Sequence, residues 1–321
     1  MIVNLSQIIV CIVVALFCYV KKTTQKFLDI DYTTNLRGIA ILFVVLHHVS
    51  NTYNSNLFTP LGGIGVSMFL ILSGYGLNES YHRKGLSNFW KSKLLRVIVP
   101  CWLVEILFLI FESSHFDTIV FIKHLLCIDR NWYIRYLFYW YLLFYFSTKY
   151  FSHKRIRILT FCGLIFLLIL PEIEAEQSIS FLSGMFISEF SNIKKLMCRK
   201  YLKWGGILFL VGMSFLVLKQ ISIIRDFEGT VLYNVIQMII KWNISLGVII
   251  LYVVIVNRGI KFRFFSWLGI ISYELYLTHC KFLNLLSGDN SLLSILAFYS
   301  ISVLTAIALY QFDKRLALKF K

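Results

Sequence analysis

Apolar residues in this chain run in long blocks separated by short polar connections, with no internal repeat and no low-complexity stretch. A helix that crosses a bilayer needs about 20 mostly apolar residues. Blocks of that kind cover Ile2–Val20, Leu36–Tyr53, Gly62–Asn78, Val97–Phe111, Trp132–Phe146, Ile156–Leu170, Ile179–Phe190, Leu202–Leu218, Val231–Val256, Phe264–Phe282 and Leu292–Gln311. Several are short, Ile179–Phe190 most of all. The pattern predicts an all-α polytopic membrane protein with about ten core transmembrane helices plus an extra N-terminal one. The first block reads as a retained helix, because no basic stretch precedes it and Val20 runs straight into Lys21-Lys22 without a small-residue cleavage site. The polar connections reach only about 20 residues, where an independent domain needs 50 or more. The chain therefore divides into an anchor helix with a basic linker over 1–30 and one integral-membrane domain over 31–321.

Composition sharpens the picture. Of 321 residues, 58% are hydrophobic and 15% charged, against about 45–50% and about 25% in a soluble domain. A soluble enzyme is excluded, and 3 prolines with 17 glycines exclude a disordered or collagenous chain. The net charge of +16 raises the question of a nucleic-acid partner. Charge placement answers it. With the N-terminus outside and spans alternating, Lys21–Arg37, Arg83–Arg96, Lys149–Arg157, Lys194–Lys203, Arg258–Arg263 and Lys314–Lys321 face the cytoplasm. These segments hold 25 of the 32 Lys and Arg, and the outer connections hold 6. Such a bias is the positive-inside rule, and Glu172, Glu174 and Glu176 share one outer loop. The basic excess thus reports topology, N-terminus out and C-terminus in, and not a nucleic acid. Seven cysteines without a C-x-x-C pair or a repeated spacing predict neither a disulfide framework nor a zinc site.

Ionisable residues inside spans are costly and mark candidate sites. The second block, with its lead-in, holds Asn35, Arg37, His47 and His48. His48 lies eleven residues after Arg37, a rise of about 16 Å and a rotation of about 20° past three turns. The two side chains share a face, with Arg37 at the cytoplasmic mouth and His48 deep in the membrane, while His47 points about 100° away. In the next block Gly62, Gly63, Gly65, Ser67, Ser73, Gly74 and Gly76 are small residues that let helices approach closely. Ser73 has no acid at a spacing that suggests a catalytic triad. Lys93 and Arg96, three residues apart before Pro100, are either ordinary positive-inside residues or a cationic clamp for phosphates. Trp132, Tyr133, Arg135 and Tyr136 sit at the outer interface, where Arg130 and Arg135 are candidates for an outer cleft. Tyr273, Glu274, Tyr276 and His279 fall within one late block, with Glu274 and His279 both ionisable.

In order, these clusters resemble the acyltransferase-3 family of bacterial integral-membrane O-acyltransferases. Its Arg, ten residues, then His in the first core helix is similar to Arg37 and His48. Its F-F-x-x-S-G segment resembles Phe69-Leu70-Ile71-Leu72-Ser73-Gly74, with Leu70 in place of the second Phe. Its R-x-x-R before a proline is similar to Lys93-Leu94-Leu95-Arg96 followed by Pro100, with a lysine first. Its S-Y-x-x-Y-L-x-H element resembles Ser272 to His279. The resemblance covers residues 30 to 315, and the extra first helix and the Lys93 and Leu70 replacements depart from it. It implies a bacterial cytoplasmic-membrane enzyme transferring an acyl group, most often acetyl, from cytoplasmic acyl-coenzyme A to a hydroxyl of a cell-surface glycan or lipid-linked sugar. Acetyl-CoA or another acyl-CoA is then a co-substrate, with no permanently bound cofactor and no metal. On this reading Arg37, Lys93 and Arg96 hold the coenzyme A phosphates. His48, with Arg37, is the catalytic candidate, as a general base or a transient acyl acceptor. Ser73, Trp132, Arg135, Tyr273, Glu274 and His279 are candidates for acceptor binding or structure.

A multi-span transporter or glycan flippase explains the spans and the buried charges without covalent chemistry. It predicts repeat symmetry and helices broken near the midplane, and no internal repeat is found. A polysaccharide polymerase calls for a long external loop that this chain lacks.

Overall fold

A computed structural model describes residues 20–22, 26–55, 57–112, 118–125, 131–258, 260–286 and 292–319. The described chain is helical apart from one antiparallel pair, β1 (Val20–Lys22) against β2 (Ile260–Phe262). In the first half the helices are α1 (Ile30–Thr52), α2 (Thr59–Lys84), α3 (Phe89–Lys93), α4 (Val99–Glu112), α5 (Thr118–Leu125), α6 (Trp132–Tyr150), α7 (Arg155–Ile169) and α8 (Glu172–Ala175). The second half adds α9 (Ser180–Glu189), α10 (Ser191–Arg199), α11 (Tyr201–Leu218), α12 (Ser222–Arg225), α13 (Val231–Leu251), α14 (Val253–Asn257), α15 (Arg263–Ile270), α16 (Ser272–His279) and α17 (Leu292–Lys319). The block Ile2–Val20, which carries the expected anchor helix, lies outside the described residues except for Val20.

Local chemistry explains the helix ends that matter for the site. Asp29 caps α1 by accepting from the Tyr32 backbone N–H at 2.7 Å, which satisfies one of the donors a helix start leaves free. α2 begins at Thr59-Pro60 and stops at Gly85, whose φ of 63° suits a residue without a Cβ. Pro100 has no N–H to give the preceding turn. The chain there takes a π turn over Leu94–Ile98 between α3 and α4, and the Val97 carbonyl accepts the Tyr273 hydroxyl at 2.6 Å.

Four stretches among the described residues are long and apolar enough to cross a bilayer: Thr59–Lys84, Tyr201–Leu218, Val231–Asn257 and Leu293–Leu316. The other described blocks form shorter or more polar helices. Ile179–Phe190 gives α9, whose 10 residues span about 15 Å, half of a hydrocarbon core of about 30 Å. α9 packs inside the bundle instead. A Cβ on Gly74 would strike the Phe181 carbonyl, and one on Gly184 would strike the Ile71 carbonyl, so α2 and α9 touch backbone to backbone. Phe264–Phe282 is broken into α15, α16 and a 3₁₀ turn over Cys280–Leu286. Gly38 and Gly269 let α15 lie against α1 in the same close way.

α1, α2 and α9 carry much of the buried core, including Leu36, Ile41, Met68, Leu70, Ile71 and Phe181. α11 buries only Gly205 and Gly212 and exposes Leu202, Leu210 and Val217. An apolar exterior of this kind belongs in lipid, as does the composition of the whole chain. The protein is a helical membrane protein.

Candidate active site

Two cavities penetrate the bundle from opposite ends of α1. The first, of about 520 Å³, is lined by Arg37, Ser73, Arg96, Tyr133, Tyr141, Tyr273, Glu274, Tyr276, Asp313 and Lys314, among others. The electrostatic partners of Arg37 are the hydroxyls of Tyr133 and Tyr141, and no carboxylate stands beside it among the described residues. A guanidinium in that position is free to receive an anionic ligand. Arg96 reaches the same wall from the π turn, a helix distortion often found at functional sites. Ser73 hydrogen-bonds to Tyr133, which is buried. Glu274 Oε2 and both carboxylate oxygens of Asp313 are buried without a hydrogen-bond partner among the described residues.

The second cavity, of about 640 Å³, contains His47, His48, Trp132, Gln177, Lys219, Arg225, Glu228, Tyr233, Gln237, Lys241 and Tyr276 in its wall. Its two histidines are held differently. His47 Nδ1 lies 2.7 Å from the Thr59 carbonyl and its Nε2 lies 3.2 Å from the Asn51 amide nitrogen. A carbonyl only accepts, so Nδ1 carries the proton and Nε2 accepts from Asn51. Gly62 leaves room for that ring, since a Cβ there would run into it. His48 hydrogen-bonds through its backbone carbonyl, to Thr52, and neither of its ring nitrogens has a partner among the described residues. Its ring stands 5.0 Å from that of His47 and 5.1 Å from that of His279. His279 is fully buried, gives its Nδ1–H to the Leu275 carbonyl at 2.8 Å and meets Cys280 Sγ with Nε2 at 3.2 Å. His48, His279 and Cys280 bring two ring nitrogens and a sulfur within 4.8 Å of one another, donor types that suit a soft metal ion.

Tyr276 lines both cavities. Tyr276 is thus the residue shared by a chamber lined by Arg37 and Arg96 and one lined by His48, whose ring nitrogens make no hydrogen bond among the described residues.

A family model described as an acyltransferase domain, that of acyltransferase-3, matches residues 29–311. The chain belongs to the acyltransferase-3 family. It is therefore an acyltransferase, and a membrane one. No curated relative and no solved structure matches it significantly.

The four elements of acyltransferase-3 resemblance all fall around the two chambers. Arg37 and His48 sit on α1, Ser73-Gly74 on α2, Arg96 on the π turn and Ser272 to His279 on α16. Placement differs from expectation for two residues. Lys93 is absent from the chamber wall: its ammonium lies 4.5 Å from the centroid of Tyr141 and 5.7 Å from that of Phe89. It stands at the polar entry to α4. Burial and the cations Arg96, Lys84 and Arg37 push that ammonium down to about 8. Arg135 lines neither chamber and is instead ion-paired with the buried Glu174. Trp132 does line the His48 chamber, Tyr273 ties α16 to the π turn, and Glu274 faces the Arg37 chamber. His279 supports His48 from behind. Three residues with no earlier assignment join the site: Tyr276, Lys314 on the Arg37 side and Lys241, paired with Glu176, on the His48 side.

Proposed function

We propose that this acyltransferase moves an acyl group, acetyl in the first instance, from cytoplasmic acyl-coenzyme A to a hydroxyl of a cell-surface glycan or lipid-linked sugar. The observation that carries the proposal is the shared Tyr276 wall, with Arg37 and Arg96 on one side and His48 on the other. Coenzyme A is a polyanion with a long thin arm. Arg37, Arg96 and Lys314 suit its phosphates, and the interior of their chamber leads toward Tyr276. The charge bias places that chamber on the cytoplasmic side. The opposite chamber opens outward, and its aromatic rings and amides (Trp132, Tyr233, Gln177, Gln237) suit the faces and hydroxyls of a sugar.

His48 then serves as general base. It takes the proton of the acceptor hydroxyl, the oxygen attacks the thioester carbonyl, and the carbon–sulfur bond breaks. The departing thiolate receives the proton from the imidazolium, which returns His48 to its neutral form. A histidine with unengaged nitrogens fits this role, and His47, bonded at both, does not. The test uses purified protein in proteoliposomes, with labelled acetyl-CoA on one side and oligosaccharide on the other. Labelled oligosaccharide, dependent on His48, supports the reading. Movement of the glycan across the bilayer without labelling overturns it in favour of a flippase.

A further inference from the structure

The His48 chamber carries a charge signature that the acyl-transfer reading does not itself require. Basic residues are scarce at this end of the bundle. Arg135 is paired with Glu174, Lys241 with Glu176, and Lys281 with Glu105 at 3.1 Å, and all three carboxylates are buried. In each case the cation answers an acid inside the fold.

Lys219 and Arg225 are placed otherwise. Both line the chamber, Lys219 just past the end of α11 and Arg225 on α12. Arg225 donates to the side-chain carbonyl of Gln220, and Lys219 lies 5.6 Å from the centroid of the Tyr233 ring. Neither has a carboxylate within ion-pairing distance among the described residues. Glu228 also lines the chamber and acts electrostatically on Lys219, so one acid stands against two cations there. Arg225 is exposed and Lys219 half-buried, which sets them at the entrance and leaves His48 further in. A cation retained on the outer face runs against the positive-inside bias. Two of them at one entrance, outnumbering the acid there and neither in an ion pair among the described residues, point to a ligand of opposite sign.

We infer that the His48 chamber takes an acceptor carrying an anionic group, a sugar carboxylate or a phosphate, held by Arg225 and Lys219. The inference rests on the acyl-transfer reading and names the class of its acceptor. An anion anchored at the mouth leaves the neutral hydroxyls of the next sugar to enter toward His48. The group to be acylated is therefore a hydroxyl away from the charged substituent. Exposed cations also draw a charged chain by long-range attraction that salt weakens.

The experiment measures binding before transfer. Three probes are titrated onto the detergent-solubilised full chain: an oligosaccharide of glucuronic acid residues, the same oligosaccharide with its carboxyls reduced to alcohols, and a monosaccharide linked to polyprenyl diphosphate. The expected result is that at least one charged probe binds tenfold or more tightly than the reduced one. That advantage falls as salt rises and disappears in Lys219→Gln/Arg225→Gln. Preference for the glucuronate probe assigns a sugar carboxylate, and preference for the diphosphate probe assigns a lipid-linked phosphate. Charged and neutral probes binding alike, no binding of either charged probe, or full charge selectivity in the double variant overturns the inference. Chromatographic profile and thermal unfolding of the double variant confirm that it is folded. Charge-selective binding without any acyl transfer keeps the anion site at Lys219 and Arg225 and removes the acyl-transfer reading, so the two failures are distinct.

Discussion

The rings of His48 and His279 lie 5.1 Å apart, yet only His48 faces a chamber; His279 is fully buried behind it. Substitution of His48 by Ala is expected to lower the rate of acyl transfer by about 10²–10⁴-fold, the usual cost of losing a general base. Binding of coenzyme A should persist, since Arg37 lies about 16 Å away along α1. His47→Ala removes a bridge between Thr59 and Asn51 and should cost far less activity. Initial rates with labelled donor, at matched protein level, check both. Equal loss in the two variants would remove the assignment.

Donor binding should depend on the arginines of the opposite chamber. Arg37→Ala and Arg96→Ala are each expected to weaken coenzyme A binding by about 1.5–3 kcal/mol, the range for a charge-assisted contact. Calorimetric titration of the solubilised protein measures it. Unchanged affinity in both variants would show that the phosphates bind elsewhere.

Lys93 predicts a pH dependence. Its ammonium sits at about 8, so the charge is present below that pH and is lost as pH rises through it. Because Lys93 stands behind Tyr141 and off the wall, its pull on the donor is screened and worth roughly two- to fivefold. Donor KM should rise by that factor between pH 7 and pH 9. Lys93→Arg should flatten the profile, and Lys93→Ala should match wild type at pH 9 only. A wild-type profile that is flat over this range would exclude a contribution from Lys93.

The ion pair of Lys241 and Glu176 should matter more for folding than for chemistry. Both members are largely withdrawn from solvent, and removing one partner of such a pair typically costs about 3–5 kcal/mol. Lys241→Met should lower the unfolding temperature and the yield of folded protein. Lys241→Met/Glu176→Gln should recover most of the loss, as read by thermal unfolding in detergent. No recovery in the double variant would mean that the lysine contributes through packing around Gly63, which its side chain crosses.

Much of the scaffold was legible from the chain alone because its signals are local. The apolar blocks Leu36–Tyr53 and Gly62–Asn78 fall largely within α1 and α2, whose ends, set by Asp29 and Gly85, lie several residues beyond those blocks on the polar side. Arg37 and His48 were legible for the same reason, since helix geometry fixes their relation without reference to any other segment. Lys93 was assigned to the donor site alongside Arg96, but the π turn beginning at Leu94 changes the angle between them. Arg135 read as a candidate for an outer cleft because Glu174, its partner, lies on another element. Tyr276 stood out in the late cluster with Tyr273, Glu274 and His279 but without a role, and its importance comes from lining both chambers. The break before α16 was hidden as well, because Ile271 and Ser272 are ordinary residues and the apolar run continues across them.

The Tyr276 partition has an electrical side. Where two water-filled chambers approach each other from opposite faces of a membrane, the voltage falls mainly across what separates them and not across the full hydrocarbon thickness. Moving one elementary charge through the whole of that field involves about 2.3 kcal/mol per 100 mV. In the proposed reaction a proton passes from the acceptor oxygen on one side of Tyr276 to the coenzyme A sulfur on the other, while the acyl group passes from that sulfur to that oxygen, so the exchange carries no net charge. The catalytic step is therefore electrically neutral across the narrowest part of the protein: a hydroxyl and a thioester become an ester and a thiol. On that reading the membrane potential neither drives nor opposes the transfer, and the tyrosine ring serves as the insulation that keeps the two compartments from short-circuiting between turnovers.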